Sequence, residues 1–210
     1  MTDTTITRPT PRSTTEPLRI SRLRVPTDDE LSPSVSRFFE ATEKQTGFVP
    51  NWLRGFALDE GHFERLNAYL FPLLQGAPDV DTSITRRERE ILATVVSVRN
   101  GCSYCHALHV HELGQFLDDG WLAHRIALDH REVPELSERE HALIELAFAL
   151  TDLTGEISDA TIEQLRDLGL SDVDIYEAVQ IVAALNATNR ISLALGLLPD
   201  PEIFDGDHTG

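Results

Sequence analysis

The chain is poor in cysteine, with two in 210 residues, and poor in positive charge, with 18 lysines and arginines against 35 aspartates and glutamates. A formal charge of −17 argues against partners that present phosphate, so neither a nucleic-acid backbone nor an anionic membrane surface is expected. No run of eighteen apolar residues occurs, which leaves no candidate membrane-spanning helix. Residues 1–17 are rich in threonine and proline and lack the apolar middle segment of a secretory signal, so a cytoplasmic setting is the expectation. In that reducing compartment two cysteines are redox or metal chemistry more often than a structural staple. What is present is ordinary for a globular protein. Hydrophobic residues make up 41% of a chain long enough to bury one core, or one core with an added helical layer.

Both cysteines fall in one motif, Glu90, eleven residues, Cys102-x-x-Cys105, three residues, His109. Asn100-Gly101 ends one apolar helical run and a second begins at about Cys102. Cys102 then lies at a helix start, where free N–H groups and the helix dipole favour a thiolate. Cys105 and His109 follow on the same face, three and four residues further on, within reach of a disulfide and of a proton acceptor. Glu90, on the preceding helix, meets them only through antiparallel packing, where it would orient His109. Other readings stay open. The cysteines could be small buried hydrophobes. With His109 and either His106 or Glu90 they could bind zinc, although no second CxxC exists. A thioredoxin-type exchanger lacks its βαβ context. Glu90 could equally be a surface partner of Arg86 and Arg87.

The motif resembles that of the alkyl hydroperoxidase D family, within the carboxymuconolactone decarboxylase-like superfamily, and matches at every spacing. The stretches Gly47–Leu53 (GFVPNWL), Arg86–Glu90 (RRERE) and Asn186–Arg190 (NATNR) are similar to its longer, peroxidase-related branch. The resemblance covers about Ile20 to Phe204. It implies that Cys105 attacks a hydroperoxide, that Cys102 resolves it, and that His109 and Glu90 relay protons, with no cofactor and no metal. It also implies an external dithiol reductant, lipoyl-bearing or thioredoxin-like, and a homo-oligomer. The chain departs from the best-known members at Tyr104, where they carry a histidine; a tyrosine there is a poor base near neutral pH but can donate a hydrogen bond, and it or a water is expected to protonate the leaving oxygen. Two further activities are compatible with the superfamily and the motif, a lyase acting on a lactone-type acid and a non-enzymatic thiol–disulfide sensor.

The periodicity predicts an all-α protein, a multi-helix bundle with an added N-terminal helical layer. Residues 1–17 are expected to be a disordered tail, 18–80 a helical extension, 81–204 the core that carries the motif, and 205–210 a second tail. Arg19 to Val25 reads as a short extended arm. Helices are expected over Pro33–Thr46, Asn51–Phe56, Glu60–Leu74, Thr85–Arg99, Cys102–Leu117, Trp121–Leu128, His141–Leu153, Ser158–Leu168 and Asp174–Ala187, the last extended by the run Ile191–Leu198. Thr85–Glu88 and Ser137–Glu140 are capping-box patterns that echo one another and hint at a helical repeat. Asn186, Asn189 and Arg190 read as structural or subunit contacts, and His106 and His111 as solvated or interface residues. The aromatic set Phe38, Phe39, Phe48, Trp52, Phe56 and Phe71 is expected in the core, some of it walling an approach to the cysteines suited to an organic hydroperoxide.

Overall fold

Caps and periodicity turn these segments into nine α-helices, with no strand, among residues 19–153 and 155–204, which are those the computed structural model describes. The tails 1–17 and 205–210 lie outside the described residues. Helices α1 (Pro33–Thr46), α2 (Asn51–Phe56) and α3 (Glu60–Gln75) precede α4 (Arg86–Arg99), α5 (Ser103–Leu117), α6 (Gly120–Asp129), α7 (Glu138–Asp152), α8 (Asp159–Asp167) and α9 (Asp172–Leu195).

Helix α4 is the axis of the bundle. It packs against α3, α5, α6, α7 and α9, and every residue from Glu88 to Ser97 is buried. This explains its strand-like valine run. A helix surrounded by helices needs no solvent-facing stripe: Ile91, Leu92, Val95 and Val96 find apolar neighbours on one side, and Glu90, Thr94 and Ser97 are buried on the other. Each such side chain, fully buried, contributes about 1.5–3 kcal/mol.

The echo between the two capping boxes has a tertiary counterpart. Thr85 and Ser137 cap α4 and α7, each receiving its helix's third N–H while Glu88 and Glu140 reach back. The arginine inside each box then crosses to the other box's glutamate, Arg87 to Glu140 at 2.5 Å and Arg139 to Glu88 at 2.6 Å. The exchange clamps the two helix starts together and satisfies the buried part of both carboxylates.

Helix α9 runs unbroken for 24 residues, the expected Asp174–Ala187 and its extension through Ile191 forming one helix, and its interior polar residues bond to other elements rather than to its own backbone alone. Arg19–Val25 is irregular and closes the C-terminal end of α9. The Arg22 N–H donates to Leu195 O at 2.6 Å, and its guanidinium donates to the carbonyls of Leu193 and Ala194. A second apolar cluster joins α1, α2 and α3 through Val35, Phe39, Leu53, Phe56 and Phe63, and it includes Cys102, Tyr104, Cys105 and Leu197. The motif therefore sits on the seam between the N-terminal helices and the α4-centred core.

Candidate active site

Gly101, at φ +63°, takes the left-handed turn that reverses the chain between α4 and α5. Antiparallel packing then carries the α5 side chains back along α4. Thr94 Oγ1 donates to His109 O at 3.2 Å, fixing the register. Four of the expected residues, Glu90, Cys102, Cys105 and His109, are thereby brought together and buried.

Cys102 is the N-cap of α5 rather than a residue of its first turn. Both cysteines are free thiols. The Cys105 thiol donates toward Cys102, and this contact is the main reason the Cys102 pKa falls to about 7. Burial opposes the fall; the N–H groups of Cys105 and Tyr104 and the charge of His109 assist it. Cys102 makes no full capping hydrogen bond, so these N–H groups act through their polarity. The Cys105 thiol is pushed up, first by donating to Cys102 and then by burial. One negative charge thus rests on the pair, mainly on Cys102.

Access points to the other sulfur. A cavity of about 90 Å³ opens beside the motif, walled by Trp52, Phe56, Leu70, Phe71, Leu108 and Leu185, and Cys105 lines it while Cys102 does not. The acidic sulfur is therefore the inner one and the reachable sulfur is Cys105. A proton moving across the S–H···S contact reconciles the two, since the pair titrates as a unit.

His109 lies between two carboxylates, its Nδ1 being 3.3 Å from Glu112 Oε2 and 3.7 Å from Glu90 Oε2. Neither contact has good hydrogen-bond geometry, and both Nδ1 and Glu90 Oε2 are buried without a hydrogen-bond partner. Burial disfavours the imidazolium, but Glu112 and Glu90 together outweigh it and raise the pKa to about 9. At neutral pH His109 is a cation. In that form it holds a proton to give, whereas the expected acceptance of a thiol proton needs the neutral ring. Glu90 is buried rather than on the surface; its Oε1 still pairs with Arg86 at 2.6 Å, while its Oε2 faces His109. Glu90, His109 and Glu112 are grouped closely enough to ligate a metal ion. The same two carboxylates also face the Arg86 guanidinium and the His109 ring, whose charges oppose theirs.

Tyr104 is buried between the motif and the C-terminal segment. Its hydroxyl donates to Asp200 Oδ2 at 2.7 Å and accepts the Trp52 N–H at 3.2 Å. The proton expected to be available to a leaving oxygen is committed to Asp200, and burial first, then the Asp200 charge, raises the phenol pKa further. Asp200 also accepts the Asn51 N–H at 2.8 Å and so fixes the start of α2, which carries Trp52 and Phe56 to the cavity.

Phe38 and Phe39 pack on Phe63 in the N-terminal layer, whereas Trp52, Phe56 and Phe71 wall the cavity. His106 and His111 line a separate surface groove with Phe204. Asn186 is structural, joining Thr151, Asn100 and Arg190. Three residues were not legible as part of the site. Glu112 carried a signal, lying three residues after His109 on one helix; Asp200 and Ser192 are brought in only by tertiary packing.

Residues 61–116, which span α3 to α5, match the carboxymuconolactone decarboxylase family. The chain is 28% identical to an uncharacterized peroxidase-related protein of Silicibacter sp. TM1040, covering 92% of this chain and 98% of that one with a TM-score of 0.83. It is 26% identical to a peroxidase-related protein of Ralstonia eutropha JMP134 described as an alkylhydroperoxidase AhpD core, over 90% and 96% of the two chains, TM-score 0.82. The uncharacterized protein YdfG of Bacillus subtilis strain 168 is 29% identical over 118 residues, 55% of this chain and 78% of its own.

Proposed function

Because the chain belongs to the alkylhydroperoxidase D/carboxymuconolactone decarboxylase-like superfamily, we propose that it is a thiol peroxidase in which Cys105 reduces an organic hydroperoxide. The observation that carries this reading is the cavity itself, an apolar pocket with a reduced cysteine pair and a cationic histidine on its polar side. An apolar wall around a sulfur nucleophile accepts an alkyl chain better than it accepts a fully hydrated peroxide.

In the reaction, the proton of Cys105 passes to Cys102, and the Cys105 electron pair forms a bond to the terminal oxygen of the hydroperoxide. The O–O bond breaks, leaving Cys105 as a sulfenic acid and the alcohol oxygen as an alkoxide. His109 gives that alkoxide its proton and becomes neutral. It then takes the proton from Cys102, whose sulfur attacks Cys105 and displaces hydroxide; the same proton completes a water. Two thiols and one hydroperoxide become a disulfide, an alcohol and water. Glu90 and Glu112 hold the imidazolium between these steps. Tyr104 positions the motif against α2 and transfers no proton. An external dithiol, on a lipoyl-bearing or thioredoxin-like protein, reduces the Cys102–Cys105 bond, and the chain works as a homo-oligomer without metal or organic cofactor.

The test is hydroperoxide consumption with candidate dithiols, with mass spectrometry of the oxidised protein. Cys105→Ser abolishes consumption; Cys102→Ser permits one turnover and accumulates sulfenic acid. Multi-turnover activity in both variants would refute the scheme. Activity that survives alkylation of both thiols would indicate a lyase instead. A change of oligomer size with redox state and no turnover would indicate a sensor.

A further inference from the structure

Asn189 and Ser192 stand on the inner face of α9, one turn apart, so helical spacing puts Asn189 on the face from which Ser192 meets the Cys105 sulfur. Ser192 Oγ is 3.6 Å from Cys105 Sγ, and Ser192 is buried. Asn189 is wholly buried, and its amide has one orientation. Its Oδ1 accepts from Asn100 Nδ2 at 3.0 Å, so its Nδ2 faces the other way, donating to Ser97 Oγ at 3.3 Å and leaving its second N–H for Cys105. Asn100 belongs to the turn that reverses α4 into α5, so the turn that places the cysteines also fixes which end of the Asn189 amide they meet.

We propose that Asn189 and Ser192 form an anion hole for Cys105, two catalytic donors that carry the charge of its sulfur while it attacks. The proposal rests on the peroxidase reading and deepens it. Cys105 is buried and the cavity it lines has apolar walls, including Phe56 and Leu185, so a thiolate formed there finds little water and depends on protein donors. A serine hydroxyl suits both protonation states. It accepts from the Cys105 thiol whenever that proton is not given to Cys102, and by rotating about Cβ–Oγ it donates to the thiolate. The acidity of Cys105 agrees: the contact with Cys102 and burial push it up, and Ser192 and Asn189 act against them.

The experiment uses the full chain in a Cys102→Ser background, which leaves one thiol and removes the S–H···S contact. The rate of alkylation by iodoacetamide is followed against pH, and the single-turnover rate with an organic hydroperoxide is measured at neutral pH. Ser192→Ala raises the Cys105 pKa by about one pH unit and slows the single turnover about tenfold. Ser192→Thr, which restores a hydroxyl, reverses both effects. Asn189→Asp, which replaces a donor with an anion, raises the pKa further than Ser192→Ala does. An alkylation profile unmoved by Ser192→Ala, in a protein with unchanged circular dichroism, overturns the inference. Alkylation needs no peroxide, so a shifted profile without hydroperoxide consumption would overturn only the peroxidase reading and support the anion hole.

Discussion

Replacing Glu112 with glutamine removes one of the two charges that keep His109 protonated and leaves its shape nearly intact. The contact is 3.3 Å, and at an effective dielectric constant of about 20 two unit charges at that distance interact by about 5 kcal/mol. That figure is too large here, because the Glu112 side chain is 39% exposed and water screens it. Reducing it to about 1.5–2 kcal/mol corresponds to a little more than one pH unit. The His109 pKa, about 9 with both carboxylates in place, then falls to about 8 or below, since burial continues to oppose the cation and only Glu90, at 3.7 Å, supports it. The sign for stability follows from the raised value. The His109 contribution is complete below the unfolded value of 6.5 and is lost as pH rises through about 9. Catalysis has the same alkaline limit, because the step that needs the His109 proton fails once that proton is gone. The first-turnover rate should rise through about pH 7 as the cysteine pair ionises and fall through about pH 9. In Glu112→Gln the descending limb moves to lower pH by a unit or more while the ascending limb moves little. Proton NMR of the imidazole C–H signals gives the titration directly, and stopped-flow peroxide reduction gives the profile. A His109 signal titrating near 9 in the variant, or near 6.5 in both proteins, refutes the two-carboxylate clamp.

Tyr104→Phe deletes the hydroxyl that joins Asp200 to the Trp52 N–H, and urea unfolding should show a loss of about 1–3 kcal/mol, with a first-turnover rate within tenfold of the parent. A much larger loss of rate at equal stability would return Tyr104 to proton transfer. Arg89 and Glu177 form a buried pair at 2.9 Å between α4 and α9. Arg89→Met leaves that carboxylate uncompensated and should cost about 3–5 kcal/mol, whereas adding Glu177→Gln should recover much of the loss, because only the single variant buries a lone charge. Equal stability of the single and double variants in urea would show that the pair is not coupled.

The local parts of this protein could be read from the chain. Thr85 with Glu88 and Ser137 with Glu140 announce helix starts, because a capping box is a contact between residues three apart. Cys102, Cys105 and His109 share a face for the same short-range reason. The length of α9 was legible in the run Ile191–Leu198 that extends it. The partners of Asn186, Asn189 and Ser192, which interrupt its apolar pattern, were not, because they stand on other helices.

The sequence alone determined which residues could react, because their spacing along one helix and across one glycine turn needs no other part of the fold. Tertiary structure decided how they are charged and which of them can be reached. Glu112 and Glu90 converge on His109 from two helices and keep the expected proton carrier charged at rest. Asp200, nearly a hundred residues from Tyr104, takes that tyrosine's proton out of play. The N-terminal helices wall the cavity so that Cys105 faces it and Cys102 does not. Burial and charge depend on everything that surrounds a group, and those surroundings come from segments distant in the chain.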